Sequence, residues 1–466
     1  MQKVLCAVVL IASSLGAFAE ESQLPANWQP VAREIFAELI GIDTTHEHGA
    51  TPAAQAIAKR LRAAGYPESD LFLGGPAPNK QNLVVRVHGR GTAPTVLYVV
   101  HLDVVAAKRE DWSFDPFRLT EQDGYFYGRG TIDIKEEAAA LTVMLLRFKQ
   151  EGFQPARDII VAFTDDEEGG GTANGVEWLV AQHLDLIKPE FAINPDAGGA
   201  ELRSGRRSSL DLQTGEKVYL SLKLEAHDRG GHSSVPHDGN PIARLSKALT
   251  RIGAYRFPAK LNETTQGYFA ALANEEHGQL AADLRVLGQG KLDPEAVERV
   301  SKAKDVYNAM LRTTCVPTEI SGGHAENALP QMARATINCR ILPNESSEEI
   351  QAKLLELAAD PALKLSQLAP PILSPASVLT SKVVEPVTKV MNEMYPGTRL
   401  IPTLSTGASD SVYLRSIGIP VYGVTAMFEE IDEPRSHGRD ERIRVIDYYD
   451  GVEFQYRVGK ALAASR

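Results

Sequence analysis

Five apolar residues, Ile159 to Phe163, lead through Thr164 and Asp165 into the acids Asp166-Glu167-Glu168, and then into Gly169-Gly170-Gly171. The apolar run reads as a buried strand. Adjacent carboxylates at its end repel one another, so each must be solvated, protonated or held by a cation. A solvated acidic turn is the plain alternative. A cation leaves the two glutamates free to divide the work, one as a metal ligand and one as a base. Asp166 then remains as a strand-end residue with no ligand role.

The chain around this run is long enough for about two domains. Its net charge of -11 argues against nucleic acid or an anionic membrane surface as partner. Lys3, the apolar stretch 6–15 and Ala17-Phe18-Ala19 have the order of a cleavable leader. Residues 1–19 are therefore read as a signal peptide, and the protein is expected to be exported, periplasmic or secreted. No later segment has the length and apolarity of a membrane span. Past the leader two cysteines remain, Cys315 and Cys339, flanking a hairpin with strands at 313–321 and 333–342. They are read as buried free thiols, with a bond across the strands as the alternative in an oxidising compartment.

Apolar periodicity predicts helices at 31–39, 53–64, 135–150 and 175–183, and strands at 82–88, 95–100, 159–164, 191–194 and 420–424. Such alternation predicts an α/β fold with a mostly parallel sheet flanked by helices. Between 211 and 376 the pattern changes. A half-buried strand at 217–226, helices at 241–252 and 347–359 and the cysteine-flanked hairpin suggest an inserted small α+β domain. The larger domain is then 20–210 together with 377–466.

Acidic or histidine stations fall just past strand ends, where open α/β sheets build their sites. They are His101-Leu102-Asp103, Asp133, Glu167-Glu168 and Asp196; His437 lies in a polar loop near the C-terminus. Imidazole with carboxylates suits zinc, and one bridging carboxylate can serve two ions. Asp103 is placed to orient the His101 imidazole from behind. Taken singly, His101 is an ordinary satisfied histidine, Asp133 a helix N-cap and Asp196 a turn residue.

The runs His101-Leu-Asp-Val-Val105, Trp112-Ser-Phe-Asp-Pro-Phe117, Gly128-Arg-Gly-Thr-Ile-Asp-Ile-Lys135 and Asp166-Glu-Glu168 occur in this order. So do Gly231-His-Ser-Ser-Val-Pro236, Gly322-Gly-His-Ala-Glu-Asn-Ala-Leu-Pro330, Asn338-Cys-Arg-Ile-Leu-Pro343, Ser405-Thr-Gly-Ala-Ser-Asp410 and Ser436-His-Gly438. Together they resemble the di-zinc amidohydrolases, the family of acetylornithine deacetylase, succinyl-diaminopimelate desuccinylase, aminoacylase, dipeptidases and glutamate-type carboxypeptidases. The resemblance implies a zinc-exopeptidase-like catalytic domain with an inserted lid that also forms a homodimer. It implies two Zn2+, with Co2+ or Mn2+ as substitutes. Asp133 bridges, His101 and Asp196 complete one site, and Glu168 and His437 the other. Glu167 is the general base for the water between the ions, His232 stabilises the oxyanion, and Asn327, Arg340 and the Gly407 loop hold the substrate carboxylate. His237 and His324 match no ligand position. Two positions depart from the family pattern: Glu136 stands where a glycine is common, and Ala106 where a proline is. The implied activity is cleavage of a peptide or N-acyl amide bond beside a free carboxylate, as a carboxypeptidase or dipeptidase does. An N-acyl-amino-acid deacylase is the alternative, and a non-catalytic binding protein of the same fold a remoter one.

Overall fold

The computed structural model describes residues 21–91, 93–169 and 173–464; the expected leader, 1–19, lies outside them. At its centre is a six-stranded sheet in the spatial order Leu71–Ala77, Lys80–Val87, Arg157–Thr164, Ala93–His101, Phe191–Ile193, Val421–Tyr422. Both pairs that involve Lys80–Val87 are antiparallel and the other three are parallel. The sheet is thus mostly parallel, as the alternation predicts.

The two middle strands are apolar at nearly every position because both faces are covered. Val96, Tyr98 and Val100, with Ile159, Val161 and Phe163, enter one core. Leu97, Val99, Ile160 and Ala162 point the other way into a second, the two-residue period of a strand. The first core is closed by helices Gln29–Ile40, Thr51–Ala63, Lys135–Gln150, Ser381–Met394 and Val445–Ala464, and the second by Gly175–Gln182 and Ser411–Ser416. Burying apolar strands this way brings their carboxyl ends to one edge, and there the site forms.

A second sheet, absent from the sequence reading, has the order Arg399–Ser405, Arg206–Glu216, Gly199–Arg203, Glu429–Glu430. Asp211, at the expected domain border, lies in mid-strand opposite Ile401. The strand runs on to Glu216, and the inserted sheet starts only at Val218. The polar run Arg203-Ser204-Gly205-Arg206 conceals a hairpin turn, with Ser204 and Gly205 at φ 51° and 73°.

The inserted sheet is antiparallel, in the order Thr314–Gly322, Met332–Ile341, Val218–His227, Lys364–Gln367. One face packs Leu220, Leu222, Leu224 and Ile337 against Leu245 and Ile252 of helix Pro241–Ala254 and Leu354 of helix Ser347–Ala358. Cys315 and Cys339 are direct cross-strand partners and are joined by a disulfide, so the reading as free thiols is corrected. The register brings their Cα atoms to 4.0 Å, close enough for a bridge. Four further helices between Glu263 and Leu311 bury Phe269 and Leu284 with Leu404 of the second sheet. Among the described residues no helix is long and apolar enough to cross a membrane.

Candidate metal centre

His101 ends its strand and is almost fully buried. Its Nδ1 lies 3.0 Å from the Asp103 carbonyl oxygen. The Asp103 carboxylate stands 3.6 Å away, too far for a good hydrogen bond. That carboxylate is otherwise engaged. It accepts the backbone N–H of Glu167 at 3.2 Å and of Glu168 at 3.0 Å. Asp103 thus fixes the imidazole through its main chain and the two glutamates through its side chain.

The other imidazole nitrogen, His101 Nε2, is buried without a well-aligned hydrogen bond. It faces Asp133 Oδ1 at 3.3 Å and Asp196 Oδ1 at 3.8 Å. Asp133 Oδ2 points the opposite way, 2.9 Å from His437 Nε2, which is itself 2.7 Å from Glu168 Oε1. Two donor triads result, His101-Asp133-Asp196 and Asp133-Glu168-His437, each with its ligand atoms within 4.8 Å of one another. They share Asp133 and use its two oxygens separately.

Each station has a local cause. Asp133 does not cap the Lys135 helix; the capping position is Ile134 and no side chain caps it. Instead Glu441, fully buried, accepts the amides of Gly130, Ile132 and Asp133 on one oxygen and pairs with Arg129 through the other. Asp196 sits in the short turn Pro195–Ala197 just past its strand. His437 adopts φ 61° in its loop, a backbone region that non-glycine residues seldom occupy.

Asp166 is not a plain strand-end residue. Its side chain is fully buried, its φ is 68°, and one carboxylate oxygen meets Lys80 Nζ at 2.5 Å and His46 Nδ1 at 2.7 Å. The other accepts the Ala173 amide. A Cβ on Gly169 would collide with both Asp166 and His46, so this approach requires glycine. Asp165, also buried, accepts the Ala50 amide at 2.7 Å. Nearby, Asp410 takes a 2.6 Å hydrogen bond from Asn174.

Crowding of acids sets the electrostatics. Burial, with Asp196, Asp410 and Glu168 adding negative charge, pushes the Glu167 carboxyl up to about 10. Burial and the Asp133 charge push Glu168 up to about 7. Burial would also raise Asp133, but the imidazoles of His101 and His437 beside it outweigh burial and hold that carboxyl well below its usual range. The contact with Asp133 in turn pushes His437 up to about 9, against the effect of burial. A divalent cation held among these carboxylates would counter the crowding and draw both glutamates back down.

The remaining expected residues lie on the inserted unit or its border. His232 pairs with Ala328 in a two-residue ladder, is exposed, and has Nδ1 2.7 Å from Ser234 Oγ. The Asn327 carbonyl accepts the Ser233 amide beside it. Arg340 lies half-buried on the outer face of the inserted sheet, 4.6 Å above the Tyr219 ring. The hydrogen bonds of these three stay within the inserted unit and do not reach the acidic cluster. Gly407 donates its amide to Ser405 Oγ at 3.0 Å, three residues before Asp410. His237 Nδ1 is 2.9 Å from the Asp238 carbonyl and its Nε2 3.3 Å from that of Gly230. Glu136 is buried at the start of its helix, with one oxygen lacking a partner. The sequence reading missed Glu441, Lys80 and His46; no spacing singles out a buried carboxylate or lysine whose partners are far away in the chain.

A family model described as Peptidase family M20/M25/M40 matches residues 97–460. A carboxypeptidase S-like protein of Dictyostelium discoideum is 28% identical over 376 residues, covering 78% of this chain and 71% of that protein. Human N-fatty-acyl-amino acid synthase/hydrolase PM20D1 is 27% identical over 381 residues, 79% of this chain and 75% of its own length. Among solved structures, an M20 family metallo-carboxypeptidase from Sulfolobus solfataricus superposes with a TM-score of 0.68 at 18% identity, covering 93% of this chain and 99% of that one.

Proposed function

The chain belongs to peptidase family M20/M25/M40, and from that membership we propose that it is an exported, zinc-dependent exopeptidase or amidohydrolase that cuts a peptide or N-acyl amide bond beside a free carboxylate. The carrying observation is the Asp133 carboxylate, with Oδ1 toward His101 and Oδ2 toward His437. A buried imidazole nitrogen without a hydrogen bond and two carboxylate-rich triads fit a pair of divalent cations. His101 and Asp196 would hold one, Glu168 and His437 the other, and Asp133 both. The donor set suits Zn2+ and tolerates Co2+ or Mn2+. When bound, the cations supply Lewis-acid polarisation and lower the pKa of water.

Glu167 is the base. It takes a proton from the attacking water and passes it to the leaving nitrogen. Asp103, through the Glu167 amide, holds that side chain in place. Arg340, Asn327 and the Gly407 loop receive the substrate carboxylate, for which a guanidinium fork is well shaped. His232, whose exposed imidazole bonds Ser234 of its own loop, serves the oxyanion from a second copy of the chain through a lid-mediated homodimer. Export accords with the leader-like order of residues 1–19 and with a disulfide in the inserted unit, a bond of oxidising compartments.

The similarity to an N-acyl amino acid hydrolase favours a deacylase as the second reading. Metal-free and zinc-loaded protein assayed on dipeptides and on N-acyl amino acids tests both readings. Zinc-dependent turnover is expected, and the better substrate class decides between peptidase and deacylase. Equal, negligible rates in both forms would mean a binding protein instead.

A further inference from the structure

The buried arginines of the larger unit are matched by an acid: Arg129 by Glu441, Arg147 by Glu453, Arg157 by Glu190 and Arg415 by Glu216. Arg340 is different. It is half-buried and makes no ion pair with an acid among the described residues; the Tyr219 ring and the Asn338 amide are its side-chain neighbours. Lys217, buried close by, donates to the Arg312 carbonyl at 2.8 Å; Arg340 and Arg312 act on it as like charges and Glu345 as the single opposing one. In a chain of net charge -11 this is a local excess of positive charge, and an excess of that kind is a receptor for an anion.

Arg340 is also held still. Tyr219 is its direct cross-strand partner, and the guanidinium carbon lies 4.6 Å from the ring centroid. Nε donates to Asn338 Oδ1 at 3.4 Å. Asn338 Nδ2 donates to Ser221 Oγ at 3.0 Å, and the Ser221 hydroxyl donates to the Tyr219 oxygen at 3.1 Å. Ser221 and Asn338 are themselves cross-strand partners. Four side chains on two strands therefore close a circuit, ring face to guanidinium to amide to hydroxyl and back to the ring. The circuit consumes Nε and one face of the guanidinium. It leaves the two terminal nitrogens, the pair that grips a carboxylate in parallel hydrogen bonds. Tyr219 is half exposed, which places the circuit at the surface of the inserted sheet.

The geometry points to Tyr219, Ser221 and Asn338 as positioning residues that hold the Arg340 fork ready for the substrate's free carboxylate, with Tyr219 the principal one. This rests on the assignment of Arg340 above and adds what makes that arginine selective. A pre-set fork loses little side-chain freedom on binding, so the circuit acts on substrate affinity and leaves the chemical step alone. A cation stacked on an exposed ring gains a modest but measurable energy, so about a three- to tenfold effect is expected.

The test compares two substrates that differ only at the C-terminus, one with a free carboxylate and one amidated, using zinc-loaded full-length protein. Tyr219→Leu is expected to raise KM for the free acid about three- to tenfold, with kcat within about twofold and the amide's KM unchanged. Tyr219→Phe, which keeps the ring face, is expected to recover most of the affinity. Calorimetric binding of 4-methylpentanoate, a carboxylate with no amide to cut, reads the same change without turnover. If Arg340→Met abolishes the preference for the free acid while Tyr219→Leu leaves it and 4-methylpentanoate binding at the parent's values, the positioning role is overturned and the receptor assignment stands. If Arg340→Met leaves the preference intact, the assignment of Arg340 fails, and the circuit with it.

Discussion

Lys80 and Asp166 meet at 2.5 Å with almost no solvent on either side. Removing one partner of a buried pair strands the other charge, at a cost of about 3–5 kcal/mol. Lys80→Met is expected to lose stability on that scale in urea denaturation, and the double variant Lys80→Met/Asp166→Asn to regain part of it. A double variant no more stable than the single one would show that something other than the stranded charge sets the loss. Beyond this anchor the two glutamates separate. Glu167→Gln removes the proposed base while leaving both donor triads complete. It should keep two metal equivalents by elemental analysis and lose about a thousandfold or more in kcat. Glu168→Gln removes a donor and should retain one equivalent. The reverse pattern would exchange their roles. The sequence pointed to an asymmetry between the glutamates. It could not show that Asp166 is an anchor, because Lys80 and His46 are remote in the chain and nothing local announces a buried partner.

The helix Lys135–Gln150 carries Asp133 at its head and buries Glu137 along its side. One Glu137 oxygen bonds Thr425 and Gln455, while burial pushes the carboxyl up to about 7 from an ordinary 4.5. Below pH 4.5 the folded and unfolded chains are both protonated there, and the full contribution is present. As pH rises toward 7 the unfolded chain gives up its proton and the folded chain keeps it. Stability therefore falls through that window, by about 3 kcal/mol in total. Glu137→Gln, which cannot ionise, should flatten the slope between about pH 5 and 7 and exceed the parent in stability at about pH 8, as read from denaturation midpoints. In the inserted sheet the disulfide ties Cys315 to Cys339 across a sequence separation of 24 residues. Replacing both cysteines by serine should cost about 2–4 kcal/mol. A reductant should destabilise the parent to the same extent, read as a fall in Tm, and leave the variant's Tm unchanged. Helix and strand positions were legible because apolar periodicity follows burial directly. The helix expected at 135–150 is formed over that span, whereas the second sheet was missed because its longest strand, Arg206–Glu216, carries only Leu210 and Leu212 as large apolar side chains among polar ones.

At the scale of the whole molecule, the site is a product of the fold: residues from His101 to His437, most of the chain apart in sequence, converge because the sheet aligns its strand ends. The fold class followed from alternation alone, and the stations past the strand ends from chemistry that packing does not need. Less legible was the support around them. Glu441 follows His437 in a charged loop like many others, yet it holds the Gly130–Asp133 turn from inside. Asp103 was expected to steady the imidazole with its carboxylate, and it spends that group on the two glutamate amides. Such assignments depend on angles that a one-dimensional pattern does not contain. The shared Asp133 has one more consequence, for how the centre fills. Each triad alone offers two carboxylates to a dication, but both together offer three to two dications. The first ion draws on a nearly balanced set of charges, and the second arrives where one carboxylate is already engaged and a like charge stands close by. Filling should therefore be anticooperative. Calorimetric titration of the metal-free protein with Zn2+ is expected to resolve two steps of unequal affinity, and Asp133→Asn to weaken both at once. Between the steps lies a half-filled protein with a lifetime and a population of its own, set by the free zinc around it.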